Sequence, residues 1–146
     1  MNALIASHSG LRYIVLLTLI IAVVNAVANL KSGKYTKKDK LINLIALITV
    51  HLQLLLGLIV YFLSQKVQFN SGTMKNEIIR FFTMEHALMM IIAIILVTVG
   101  RRKAEKQEDL KKRHKTILVY YLIALLLIVV AIPWPFMRPS LGAGYF

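Results

Sequence analysis

Four runs of apolar residues, separated by short polar segments, set the plan of the chain: about 9–30, 41–64, 79–99 and 116–136. Each holds roughly 20 residues, which at ~1.5 Å of helical rise per residue matches a hydrocarbon core of about 30 Å. Each run therefore predicts a helix that crosses a membrane. No Gly/Ser-rich linker divides them, so residues 1–146 read as a single domain. The expected fold is all-α, an integral membrane four-helix up-and-down bundle. Pro133 and Pro135, on either side of Trp134, predict the end of the fourth helix. The first run carries small residues at Ala26-Val27-Ala28, where a leader peptide is cut, but it lacks a basic leading end and holds Arg12 within it. An uncleaved helix is the expectation.

Composition agrees with this pattern. With 58% hydrophobic residues and a mean hydropathy of +0.71, the chain is too apolar for an ordinary soluble domain. The net charge of +12 would suggest nucleic acid on a soluble protein, but its placement argues otherwise. Five lysines lie in residues 31–40 and eight basic residues in 101–115, so thirteen of the eighteen sit in two short connections. The third connection, 65–78, has Lys66 and Lys75 with Glu77. By the positive-inside rule the two basic connections are cytoplasmic and both termini lie outside, which in a bacterium means a multi-pass protein of the inner membrane. Tyr13, Tyr61, Phe62, Phe81, Phe82, Trp134 and Phe136 then fall near the outer boundary, where amphipathic rings gather. The expected surroundings are lipid, with no nucleic acid. The chain has no cysteine, which removes disulfides, thiolate metal ligation, iron–sulfur clusters and c-type haem.

Candidate chemistry rests on polar residues within the spans: His8, Arg12, His51, Gln53, Glu85 and His86. An ionisable residue there is costly to leave without a partner, which makes it a functional-site hypothesis by default. Counting from the span centres, His51 and His86 differ in depth by about 8 Å. Two imidazoles from facing helices are what a low-spin haem b needs, one on each side of the iron. The expectation is therefore haem b between the second and third helices, with His51 and His86 as axial ligands. Arg12 would meet a propionate, and His8 is a propionate contact, a quinone contact or an alternative ligand. Glu85 either pairs with Arg12 or exchanges protons beside a quinol site, and Gln53 stands near His51. The plainer alternative makes the histidines hydrogen-bonding struts between helices, worth about 0.6–2 kcal/mol each. Met84, Met89 and Met90 offer thioether sulfur to copper beside His86, although methionine is more often a packing residue. The mixed-charge run from Lys103 to Lys115 reads as a solvated helical extension or loop, and His114 within it as a solvated residue. No phosphate loop, nucleophile elbow or zinc helix is present, so any enzymatic role is at most that of an electron-transfer component.

The blocks His8-Ser9-Gly10-Leu11-Arg12-Tyr13, His51-Leu52-Gln53-Leu54-Leu55-Leu56-Gly57, Arg80-Phe81-Phe82-Thr83-Met84-Glu85-His86 and Ile132-Pro133-Trp134-Pro135-Phe136 resemble those of short four-helix bacterial membrane proteins labelled cytochrome b-like. The likeness covers nearly the whole chain. The block from His51 to Gly57 is also similar to segments of heme A synthase, of which the chain has the length of one four-helix half. The expected role is respiratory electron transfer between a quinol pool and a partner. Two alternatives stand beside it: a haem-free accessory or assembly subunit of a larger respiratory complex, and a quinone- or metal-handling membrane protein using His8, Arg12 and Glu85.

Overall fold

The computed structural model describes residues 1–144, which form four long helices and one short 3-10 turn at Pro139–Leu141. Helix α1 spans Asn2–Asn29, α2 Lys37–Leu63, α3 Glu77–Lys106 and α4 Leu110–Ala131, and each is long and apolar enough to cross a membrane. The interfaces run α1 with α2, α1 with α4, α3 with α4 and, smallest of the four, α2 with α3. The helices thus stand in a ring, with α1 diagonal to α3. One end carries Met1, the described C-terminal residues up to Gly144 and the α2–α3 connection, where Lys66 Nζ donates to the Leu141 carbonyl and Ser140 to Glu77. The two basic connections meet at the other end, where Tyr35 donates to Glu105 at 3.1 Å.

The helix boundaries differ from the sequence expectation in ways that have local causes. Helix α1 begins at Asn2 rather than near residue 9, so His8 lies more than a turn inside it. At α2 the start is fixed by a capping box: Asp39 accepts from the Thr36 backbone N–H at 2.6 Å, and the Thr36 hydroxyl accepts from Asp39. Asn25 of α1 also donates to Asp39, at 2.8 Å, which ties the two helices together at the basic end. Helix α4 starts at Leu110, capped by the Asp109 carboxylate, and stops at Ala131 rather than Phe136. Ile132 has left the helical region, with ψ 129°, as a residue before proline is pushed to do. Residues 101–115 are helical extensions of the apolar runs, joined by the turn Gln107–Asp109, and most of them are exposed or half-buried, but His114 is not.

That difference corrects the reading of His114. It is buried, 1% exposed, with Nε2 2.8 Å from the Lys34 carbonyl and its ring edge-on to Tyr35. Tyr35 in turn accepts from Asn43 at 3.0 Å, and Tyr121 donates to the Asn43 carbonyl at 2.9 Å. Burial pushes the Tyr35 phenol up to about 12, so it serves this network as a neutral hydroxyl.

The helix interfaces are built from small residues, among them Ala22, Ala26, Ala46, Ala93, Ala104, Ala124 and Ala131. Large aliphatic side chains such as Leu17, Val24, Leu55, Ile95 and Leu126 point outward. This arrangement suits a lipid surrounding, in which apolar surface gains nothing by turning inward and close backbone approach drives packing. Helices α3 and α4 approach closely at Gly100, where a Cβ would lie 2.3 Å from Tyr120 Cβ.

Candidate functional site

Within the termini half of the ring the helices diverge around a cavity of about 720 Å³. Its walls are mostly apolar: Val15 from α1, Val50 and Leu54 from α2, Met90 and Ile94 from α3, and Ile128 and Ile132 at the end of α4. His8, Ser9 and Arg12 of α1, Gln53 and Tyr61 of α2, and His86 of α3 supply the polar groups. The cavity lies beside the smallest of the four helix interfaces, α2 with α3.

His86 is held by three local features. Residues Phe81–Glu85 form a π-helical turn, and the His86 N–H bonds to the carbonyl of Phe81, five residues back. A π-turn inserts an extra residue into the helix and rotates everything beyond it, a device frequent at functional sites. The ring of His86 packs against Phe81 and Phe82. Its Nδ1 lies 2.9 Å from the carbonyl oxygen of Ala131, the last residue of α4. A carbonyl oxygen only accepts, so Nδ1 carries the proton and the lone pair of the neutral ring is on Nε2.

His8 faces His86 across the ring, with ring centroids 6.4 Å apart and planes at 81°. Its seat is made by Gly57 of α2, where a Cβ would lie 3.0 Å from His8 Cε1. Gln53, one turn earlier on the same face, donates from Nε2 to the His8 backbone carbonyl at 2.8 Å. Among the described residues, His8 Nδ1 and Gln53 Oε1 are both buried without a hydrogen-bond partner. Arg12 is buried one turn further along α1, its guanidinium 4.9 Å from the Tyr13 ring centre and 5.4 Å from that of Trp134.

The residues singled out in the sequence thus separate. His8, Arg12, Gln53 and His86 line one cavity, and His51 does not. The His51 Nδ1 donates to the Leu47 carbonyl of its own helix at 2.8 Å, and the stripe that shares its face, Ile48, Leu55, Leu58 and Phe62, is exposed. The buried face of α2 is the less apolar one, with Asn43, Ala46, Thr49 and Val50, and Thr49 shares a 2.9 Å hydrogen bond with Thr18 of α1. Glu85 does not pair with Arg12. It accepts from Arg80 at 2.7 Å, with Arg138 3.9 Å away, at the termini end of the bundle. Met90 lines the cavity, whereas Met84 is exposed, so the methionines do not gather around His86.

Two contributors were not singled out from the sequence. Gly57 shows only as the end of an aliphatic block, and its role follows from what sits opposite it. The Ala131 carbonyl, by contrast, had a signal: the residue four places on is Pro135, which has no N–H to offer it. Compared with protein-family models, with curated proteins and with solved structures, the chain finds no match.

Proposed function

We propose that the chain is a membrane b-type cytochrome-like protein that carries electrons, with haem b in the cavity and His8 and His86 on its two faces. The observation that carries this reading is the pair of imidazoles, 6.4 Å apart at their centroids, projecting from diagonal helices into one apolar cavity. Two imidazoles on one iron, with each bound nitrogen about 2 Å from the metal and roughly 1 Å from its ring centre, stand about 6 Å apart. Near-perpendicular ring planes are compatible with such a pair. Metal-bound histidines characteristically donate their other ring N–H to a carbonyl or carboxylate, as His86 does to Ala131.

The neighbouring residues fit the group in a similar way. Arg12 brings a charge to the cavity where a propionate carboxylate can meet it, and the aliphatic walls exclude water from the macrocycle. Bound haem would supply reversible one-electron transfer. This reading keeps His86 as an axial ligand and moves the second position from His51 to His8. It also keeps the membrane orientation, with the basic connections in the cytoplasm of a bacterium and both termini on the outer face. Electrons would then enter or leave near the outer surface, from a quinol pool or a larger respiratory complex.

A second reading is favoured by the buried His8 Nδ1 and Gln53 Oε1, which have no partner among the described residues. A quinol carries O–H donors that could satisfy an acceptor at each, and it would reach the cavity from lipid through the smallest helix interface.

The test is to purify the protein in mild detergent after expression with ample haem, record the reduced-minus-oxidised absorption spectrum, and extract both haem and quinone from the same sample. A Soret band with haem near one per chain supports the first reading. A featureless spectrum with bound quinone supports the second, and neither cofactor, with co-purification of a large complex, supports an accessory subunit.

A further inference from the structure

The Ile132-Pro133-Trp134-Pro135-Phe136 block ends α4, and the places where its two prolines fall matter more than the ending itself. In an α-helix the carbonyl of residue i accepts from the N–H of residue i+4. Val129 would receive from residue 133 and Ala131 from residue 135, and both are proline. Two carbonyls are therefore stripped of their helical donors in advance, and in a low-dielectric surrounding an unpaired carbonyl is costly. Each is taken by a ring. The Trp134 indole Nε1 donates to Val129 at 2.9 Å, and His86 Nδ1 donates to Ala131 at 2.9 Å. The indole so fixed lies 5.4 Å from the Arg12 guanidinium, and the imidazole so fixed makes no other hydrogen bond among the described residues.

We infer that Pro133-Trp134-Pro135 is a positioning segment for the cavity: by withholding the N–H at residue 135 it reserves the Ala131 carbonyl for His86, which presents Nε2 to the cavity as an electron-pair donor. By withholding the N–H at residue 133 it reserves Val129 for Trp134, which in turn sets the plane beneath Arg12. The inference rests on the reading of His86 as a donor to whatever the cavity holds, iron or a quinol hydroxyl. None of the three residues is itself catalytic. Their effect passes through His86 and Arg12.

The two prolines lie opposite different carbonyls but both protect Ala131: Pro135 has no N–H to give it, and Pro133 keeps residue 135 out of the helix. In Pro135→Ala the helix still breaks before Pro133, and the new N–H is not brought to Ala131. In Pro133→Ala the helix can continue, but residue 135 still has no N–H, and only the indole loses its partner. In the double variant the N–H of residue 135 can compete for Ala131. The experiment is nitrogen NMR of the protein carrying 15N-histidine, purified from haem-depleted cells so that no iron on Nε2 holds the proton on Nδ1 by itself, with His86 assigned from the His86→Gln spectrum. The expected result is a single Nδ1–H tautomer for His86 in the wild type and in both single variants, and loss of that pure tautomer in the double variant. An Nε2–H tautomer in the wild type, or an unchanged His86 in the double variant, overturns the inference.

If the double variant does not fold, the carbonyl carbon shift of Ala131 is compared between wild type and His86→Phe. A shift on removal of the imidazole is expected, and no shift overturns the inference. Because the tautomer is read without haem, its failure is distinct from a featureless absorption spectrum of the haem-supplied protein. The latter would remove the cytochrome reading and leave the positioning of His86 standing.

Discussion

Gly57 is the residue on which the shape of the cavity most directly depends, because the His8 ring occupies the space where its side chain would be. An added methyl 3.0 Å from His8 Cε1 asks the ring to move by a few tenths of an ångström, whereas a branched side chain takes its seat. If the cavity holds haem as proposed, Gly57→Ala should keep most of the wild type's haem per purified chain and Gly57→Val should lose most of it. Tyr35 gives a prediction at the opposite end. Its phenol titrates near 12 in the folded protein against 10.0 for the free group, so the folded state holds its proton longer than the unfolded chain does. Stability should therefore fall as pH rises from about 10 to about 12, and the fall should be shallower in Tyr35→Phe, checked by thermal melts in detergent. The polar residues were legible in the sequence as exceptions within apolar runs, but their partners were not. Counting along the sequence puts His51 and His86 within about 8 Å of each other in depth, and depth does not say which way a ring points. The most aliphatic stripe of α2, on which His51 lies, faces outward, an arrangement that suits a lipid surrounding.

At the scale of the element, the four helices could be read from the length of the apolar runs, and their ends could be read less well. Polar residues continue a helix beyond its apolar stretch without any change of backbone, so α2 begins at Lys37, α3 runs to Lys106 and α4 begins at Leu110. This extension makes the charged run two helix ends and buries His114 between them. The π-turn at Phe81–Glu85 has no signature in the sequence, and it changes which residues of α3 share the face of His86. The caps and the close helix contact make testable demands on stability. Asp39→Ala removes the acceptor for Thr36 and Asn25 and should cost about 1–2 kcal/mol. In Gly100→Ala the new Cβ would meet Tyr120 at 2.3 Å, so α3 and α4 must separate. The expected cost is about 1–3 kcal/mol. Both are read as lowered unfolding midpoints in detergent, and an unchanged midpoint for Gly100→Ala would mean that the two helices are not in close contact there.

At the scale of the whole molecule, charge and chemistry divide between the two ends. Thirteen of eighteen basic residues lie in the stretches 31–40 and 101–115, while the cavity opens in the half that carries the termini. The absence of native cysteine makes the orientation simple to test with single introduced thiols. Ser71→Cys should react with a membrane-impermeant reagent on intact cells, and Ser32→Cys should react only after the cells are opened. The ring of helices was legible only as a bundle. That α1 stands diagonal to α3 depends on which small-residue faces meet, and that arrangement brings His8 rather than His51 opposite His86. The most direct measurement is the reduced-minus-oxidised absorption spectrum of the purified wild type beside His8→Ala, His51→Ala and His86→Ala. A Soret band in the wild type that persists in His51→Ala and is lost or markedly altered in both His8→Ala and His86→Ala is the predicted result. No band in the wild type, or a band lost with His51 and retained without His8, would contradict it.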